Sequence, residues 1–164
     1  MIAPGCSPSQ LSVVHRNGTA LPVAGRKIFR MITERDPARS KLLLAVLMIH
    51  MSASLWHHVH NGNYADEYPN MPTGFPPALA IVVWGVTTVV GLAGYYGVCT
   101  GRRLLGLGVM GLYAAYGLLA FSHYTLAPMS AHTPVANATI LGEGVTGLLL
   151  LITVIVFLAR DRDA

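Results

Sequence analysis

Four apolar runs divide this chain, and the polar residues inside them recur at helical spacing. A helix needs roughly 20 residues to cross the hydrocarbon core of a bilayer. The runs therefore predict membrane spans at about 42–61, 77–98, 104–123 and 135–159. The first strictly apolar stretch stops near Trp56, which is short. Its helix must continue to about Asn61 and carry His57, His58 and His60 in its last turns. Pro76-Pro77 suits the first turn of the second span, where a missing N–H costs nothing. Thr133-Pro134 supplies a cap and a first position for the fourth.

Short connections between these runs predict an all-α integral membrane protein, a four-transmembrane-helix bundle of up-down-up-down topology. Residues 1–40, rich in Pro, Gly, Ser and Arg, read as a flexible basic cytoplasmic tail, and 161–164 as a short second tail. Met31 is as good a start as Met1, since nothing before it reads as structured. Composition points the same way. Charged residues make up 11% of the 164, against about 25% in an ordinary soluble domain, and the mean hydropathy is +0.53.

Charge sets the orientation. The basic residues lie before Leu42, at Arg102 and Arg103 between the second and third runs, or at Arg160 and Arg162 after the fourth. The other two connections carry none. By the positive-inside rule both termini are cytoplasmic, in an inner or plasma membrane. This placement accounts for the net charge of +4 as flanking signals and anionic-lipid contacts, and excludes a nucleic-acid surface. Cys6 and Cys99 then lie on the reducing side, which predicts no disulfide framework.

Each span carries one mildly polar stripe: His50, Ser54, His57 and Asn61 in the first; Trp84, Thr87 or Thr88, Gly91 and Tyr95 in the second; Tyr113, Tyr116 and His123 in the third; Thr139, Glu143 and Thr146 in the fourth. Turned inward, the stripes line a bundle interior; facing lipid, they would go unsatisfied. At 1.5 Å per residue, Glu143 lies roughly 10–15 Å below the outer end of its helix, His50 about 15 Å and Tyr116 about 10 Å. A carboxyl and an imidazole at that depth face inward and mark function. Glu143, His50 and Tyr116 are the expected catalytic group, with Glu143 as general acid or base and His50 as its partner.

Above them lies a histidine-rich rim. His57 and His60, three residues apart, can address one ion while His58 points elsewhere, and His123 approaches from the third span. Asp66, Glu67 and His132 supply loop ligands. Three imidazoles with a carboxylate suit Zn, Cu or Fe, and Met71 and Met129 would favour Cu(I). The same rings also suit the polar interface beside Trp56. A bis-histidine haem fits poorly, since only His50 is deep. Gly106, Gly108, Gly111 and Gly117 predict close packing of the third span.

The leading expectation is a small membrane enzyme acting on a lipid-like or small apolar substrate by metal-assisted or acid–base chemistry, with Trp84 and Tyr116 shaping the pocket. A metal-binding or transport protein and a non-catalytic accessory subunit of a membrane complex, or a homo-oligomer, are the alternatives. The cytoplasmic half has few polar residues beyond Tyr95, so no continuous path crosses the chain.

Overall fold

The computed structural model describes residues 37–71 and 76–162. Met31, Cys6, His15 and most of the proposed tails lie outside these. Every regular element among the described residues is helical: α1 (Pro37–Asn63), α2 (Pro77–Cys99), α3 (Arg103–Gly117), α4 (His123–Leu126) and α5 (Pro134–Arg162), with short 3₁₀ turns at Ala65–Glu67, Leu118–Ser122 and Met129–Ala131. Four segments are long and apolar enough to cross a membrane: Ala38–Asn63, Pro77–Cys99, Arg103–Leu126 and Pro134–Asp161. The chain has the make-up of a multi-pass membrane protein.

Local chemistry explains the boundaries. α2 opens with Pro77 at a first-turn position, preceded by Pro76 in extended conformation, and stops at Gly101, whose φ of 91° suits glycine. α5 opens on Thr133, whose hydroxyl accepts the Ala136 N–H at 3.2 Å, the expected cap. The third span is not one uninterrupted α-helix. It tightens to 3₁₀ over Leu118–Ser122 before α4, as helices do at strained or functional positions.

α1 packs against α2 and α5, and α3 packs against the same two helices. One half of the bundle holds an apolar core of Leu43, Leu47, Leu107, Met110, Tyr113, Ala114, Leu150, Val154 and Phe157. α2 contributes only small buried residues, Ala80, Thr88, Gly91 and Gly94. It turns Val82, Val86 and Val89 outward, as a lipid-facing helix does.

The approach of α2 to its neighbours changes along its length. Near its C-terminus it lies backbone to backbone with α3. A Cβ on Gly106 would stand 2.6 Å from the Gly94 carbonyl oxygen. Near its N-terminus it lies instead against α1, where a Cβ on Gly62 would meet the Ala80 Cβ and Pro77 at 3.2 Å. α2 thus leaves α3 as it approaches α1, and a gap opens between α2 and the end of the third span. The start of α1, the start of α3 and the end of α5 meet around Asp161, whose carboxylate contacts Arg103 and lies 4.0 Å from Arg39.

Candidate functional site

Three polar rungs join α1 to α5. His50 Nδ1 lies 3.1 Å from the Thr146 hydroxyl, Ser54 donates to Glu143 Oε1 at 2.8 Å, and His57 Nδ1 lies 3.2 Å from the Thr139 hydroxyl. Each step toward the C-terminus of α1 meets a residue nearer the N-terminus of α5. All three rungs are drawn from the stripes read in the sequence, and the burial of His50, Ser54, His57, Thr139 and Glu143 places those stripes inward.

Glu143 is the centre of the site. Its second carboxyl oxygen, Oε2, faces two imidazoles, His57 Nε2 at 3.7 Å and His58 Nδ1 at 3.8 Å. His58 therefore joins Glu143 instead of pointing away, because the end of α1 is covered on two sides. His58 Nδ1 also donates to the Ser54 carbonyl at 2.9 Å, which fixes its proton on that nitrogen. His50 is not the partner of Glu143. It sits one turn deeper, with its ring 4.9 Å from that of Tyr113 and its edge against Gly117, where no Cβ would fit.

Beside Glu143 is a cavity of about 290 Å³ lined by His57, His58, Asn61, Tyr116, His123 and Glu143 on its polar side and by Ala80, Val83, Leu119 and Ala120 on its apolar side. It occupies the gap left where α2 moves away from α3. Leu119, 59% exposed, stands at its rim, so the cavity reaches the apolar surface of the bundle. Tyr116 lines it as expected. Trp84 does not, since its indole N–H donates to the Met51 carbonyl at 3.3 Å.

On the other side of His57 lies a second polar cluster, built around Tyr68. This ring is 1% exposed although it belongs to a connecting segment. Its hydroxyl lies 2.9 Å from His60 Nδ1 and 2.9 Å from the Thr139 hydroxyl. Burial pushes the Tyr68 phenol up to about 12, from an ordinary 10.0, so the group stays neutral. His60 Nε2 lies 3.7 Å from Glu67 Oε2, and Thr133 donates to that same oxygen. His123 faces His57 at a ring distance of 5.3 Å and Tyr68 at 4.9 Å. His132 donates from Nδ1 to the Pro128 carbonyl and lies 6.4 Å from His123. Asp66 is exposed and outside the cluster.

The expected ligand set thus divides. Tyr68 stands between His57 and His60, 5.8 Å and 5.7 Å from their ring centres, and each of those histidines commits Nδ1 to a hydroxyl. Among the described residues no three His, Cys, Asp or Glu side chains converge so as to hold a metal ion. The polar stripes and the ligand pattern of the sequence give Tyr68 no role. A bulky aromatic beside a proline in a histidine-rich connection was the available signal. Comparison of the chain with family models, with curated proteins and with solved structures gives no match.

Proposed function

We propose that this chain is a small multi-pass membrane enzyme whose outward-facing cavity carries out acid–base chemistry on a lipid-like or small apolar substrate. The observation that carries the reading is the position of Glu143: a buried carboxyl, oriented by Ser54 and faced by two imidazoles, on the wall of a cavity that reaches the apolar surface. Such a carboxyl can take a proton from, or return one to, a substrate held against Val83 and Leu119. His57 and His58, 3.7 Å and 3.8 Å from Oε2, balance the change of charge through a bridging water or a small side-chain shift. Tyr116 and Asn61 offer polar groups that orient a substrate headgroup. Access through the gap between α2 and α3 lets an apolar molecule arrive from the bilayer without crossing water.

The topology belongs to the same proposal. Arg39, Arg103 and Asp161 gather at one end of the bundle, and His60, Glu67 and His132 at the other. The positive-inside rule then supports an up-down-up-down bundle in an inner or plasma membrane, with both termini cytoplasmic and the histidine end outside. A transition metal is the second reading. It rests on the two imidazoles that face one Glu143 oxygen, and it needs a further donor such as His123 to move in.

The test is chemical. Proteoliposomes of the wild type and of Glu143→Gln are incubated in D₂O with an apolar lipid extract, and the lipids are read by mass spectrometry. A product or deuterium incorporation seen only with the wild type supports the reading. Identical lipid profiles from both, across extracts from several membranes, overturn it.

A further inference from the structure

The cluster around Tyr68 meets the cavity at His57 and His123, and only His57 is joined to Tyr68 by a line of polar atoms through Thr139. Taken in order, its polar atoms form one connected line. Glu67 Oε2 is 3.7 Å from His60 Nε2; His60 Nδ1 is 2.9 Å from the Tyr68 hydroxyl; that hydroxyl is 2.9 Å from Thr139 Oγ1. Thr139 Oγ1 is 3.2 Å from His57 Nδ1, and His57 Nε2 is 3.7 Å from Glu143 Oε2. The line begins at a side chain 28% exposed and ends at one 3% exposed. Every group between is an imidazole or a hydroxyl, which accept a proton at one atom and release one from the same or another.

From this geometry we infer that His60, Tyr68, Thr139 and His57 form a relay that moves protons between the aqueous face at Glu67 and the buried carboxyl of Glu143. The inference rests on the acid–base reading of the site and supplies the route by which Glu143 is reset between turnovers.

The hydrogen bonds along the line admit two arrangements. Thr139 Oγ1 has two acceptors in reach, the Ala136 carbonyl at 2.9 Å and His57 Nδ1. With its proton on Ala136, Thr139 accepts from both Tyr68 and His57, and the line is interrupted. With its proton turned toward His57 Nδ1, every link donates the same way. A proton taken up at His60 Nε2 then releases the Nδ1 proton to the Tyr68 oxygen. The Tyr68 proton passes to Thr139, the Thr139 proton to His57 Nδ1, and the His57 Nε2 proton to Glu143. One proton enters, one arrives and no group is left charged between. The two end gaps of 3.7 Å exceed hydrogen-bond range and need a bridging water or a small side-chain shift. Tyr68 remains a hydroxyl throughout and never a phenolate. Other polar groups around Glu143 are Ser54, His58 and Asn61 of α1, Tyr113 and Tyr116 of α3, and Ser122 and His123 farther along the third span; α2 lines the cavity with Ala80 and Val83.

The experiment follows Glu143 itself. Full-length protein in lipid nanodiscs is given a rapid pH jump, and the Glu143 carboxyl is followed by time-resolved infrared absorption, its band assigned by its loss in Glu143→Gln. Tyr68→Phe and Thr139→Val are expected to slow the protonation change by about tenfold or more, equivalent to roughly 1.4 kcal/mol on the barrier. Thr139→Ser, which restores a hydroxyl, should recover the rate, and Tyr96→Phe at the far end of the bundle should leave it unchanged. Unchanged rates in both Tyr68→Phe and Thr139→Val would overturn the relay, as would equal slowing in Thr139→Ser. If Tyr68→Phe fails to fold, the Val and Ser substitutions at Thr139 decide alone. Loss of lipid chemistry in Glu143→Gln with unaltered rates in the relay variants would sink the relay and keep the site.

Discussion

Nε2 of His57 lies 3.7 Å from Oε2 of Glu143, while Ser54 donates to the other carboxyl oxygen at 2.8 Å. One oxygen is thus held by a hydroxyl and the other faces imidazoles and open cavity. The division separates an anchored oxygen from one left without a hydrogen bond to Ser54.

That anchoring has a measurable cost of removal. Ser54→Ala leaves a buried carboxyl oxygen without its donor and is expected to destabilise the protein by about 1–3 kcal/mol. Glu143→Gln keeps an acceptor for Ser54 and should cost less. Unfolding in detergent micelles compares the two, and a neutral Ser54→Ala would show that Glu143 is held by something else.

Packing of α2 on α3 predicts a sharp contrast between two glycines two residues apart. Gly106→Ala drives a Cβ into the Gly94 carbonyl and the backbone of Val98, whereas Gly108→Ala meets nothing within 4 Å. Overpacking of this kind costs about 1–3 kcal/mol, while an open surface position stays within about 0.5 kcal/mol. Thermal unfolding of the two variants should separate them clearly. Equal melting temperatures would contradict the close approach.

Alkaline pH should weaken the Tyr68 cluster. A phenol whose folded value is raised to about 12 binds its proton more tightly when folded than when unfolded, at 10.0. Its contribution is complete below the unfolded value and disappears as pH rises through the folded one. Stability is therefore expected to fall between about pH 10 and about pH 12, and the fall should shrink in Tyr68→Phe. Parallel pH profiles for the two proteins would refute this.

Elemental analysis of untagged, detergent-purified protein is expected to find Zn, Cu and Fe well below one ion per chain, because Tyr68 separates His57 from His60 and no three donors converge among the described residues. A near-stoichiometric ion that the double variant His57→Ala, His123→Ala loses would replace the acid–base reading with the metal one.

The spans, the caps and the inward direction of the stripes were legible because they follow from periodicity and from the intolerance of lipid for unsatisfied polar groups. The pairing of Glu143 was not. Depth counted along each helix put His50, Tyr116 and Glu143 in one layer, but relative register is decided by contact. Gly117 admits the His50 ring below, and Ser54 meets Glu143 above. Nor was Tyr68 assignable, since its place is fixed by the path of a connecting segment, which no helical period describes. The burial of His58 required knowing that α2 turns toward α1 at that end.

The apolar half of the bundle has an electrical consequence. Leu43, Leu47, Leu107, Met110, Leu150 and Val154 are buried together there, so on the proposed topology much of the membrane field falls across an apolar core. A full crossing is worth roughly 2.3 kcal/mol per elementary charge at 100 mV, and a proton halting at Glu143 samples only the first part of it. On the proposed relay, a proton that enters by the histidine face returns by that face. A cul-de-sac of this kind predicts no steady proton current and nearly the same turnover in an energised membrane as in a discharged one.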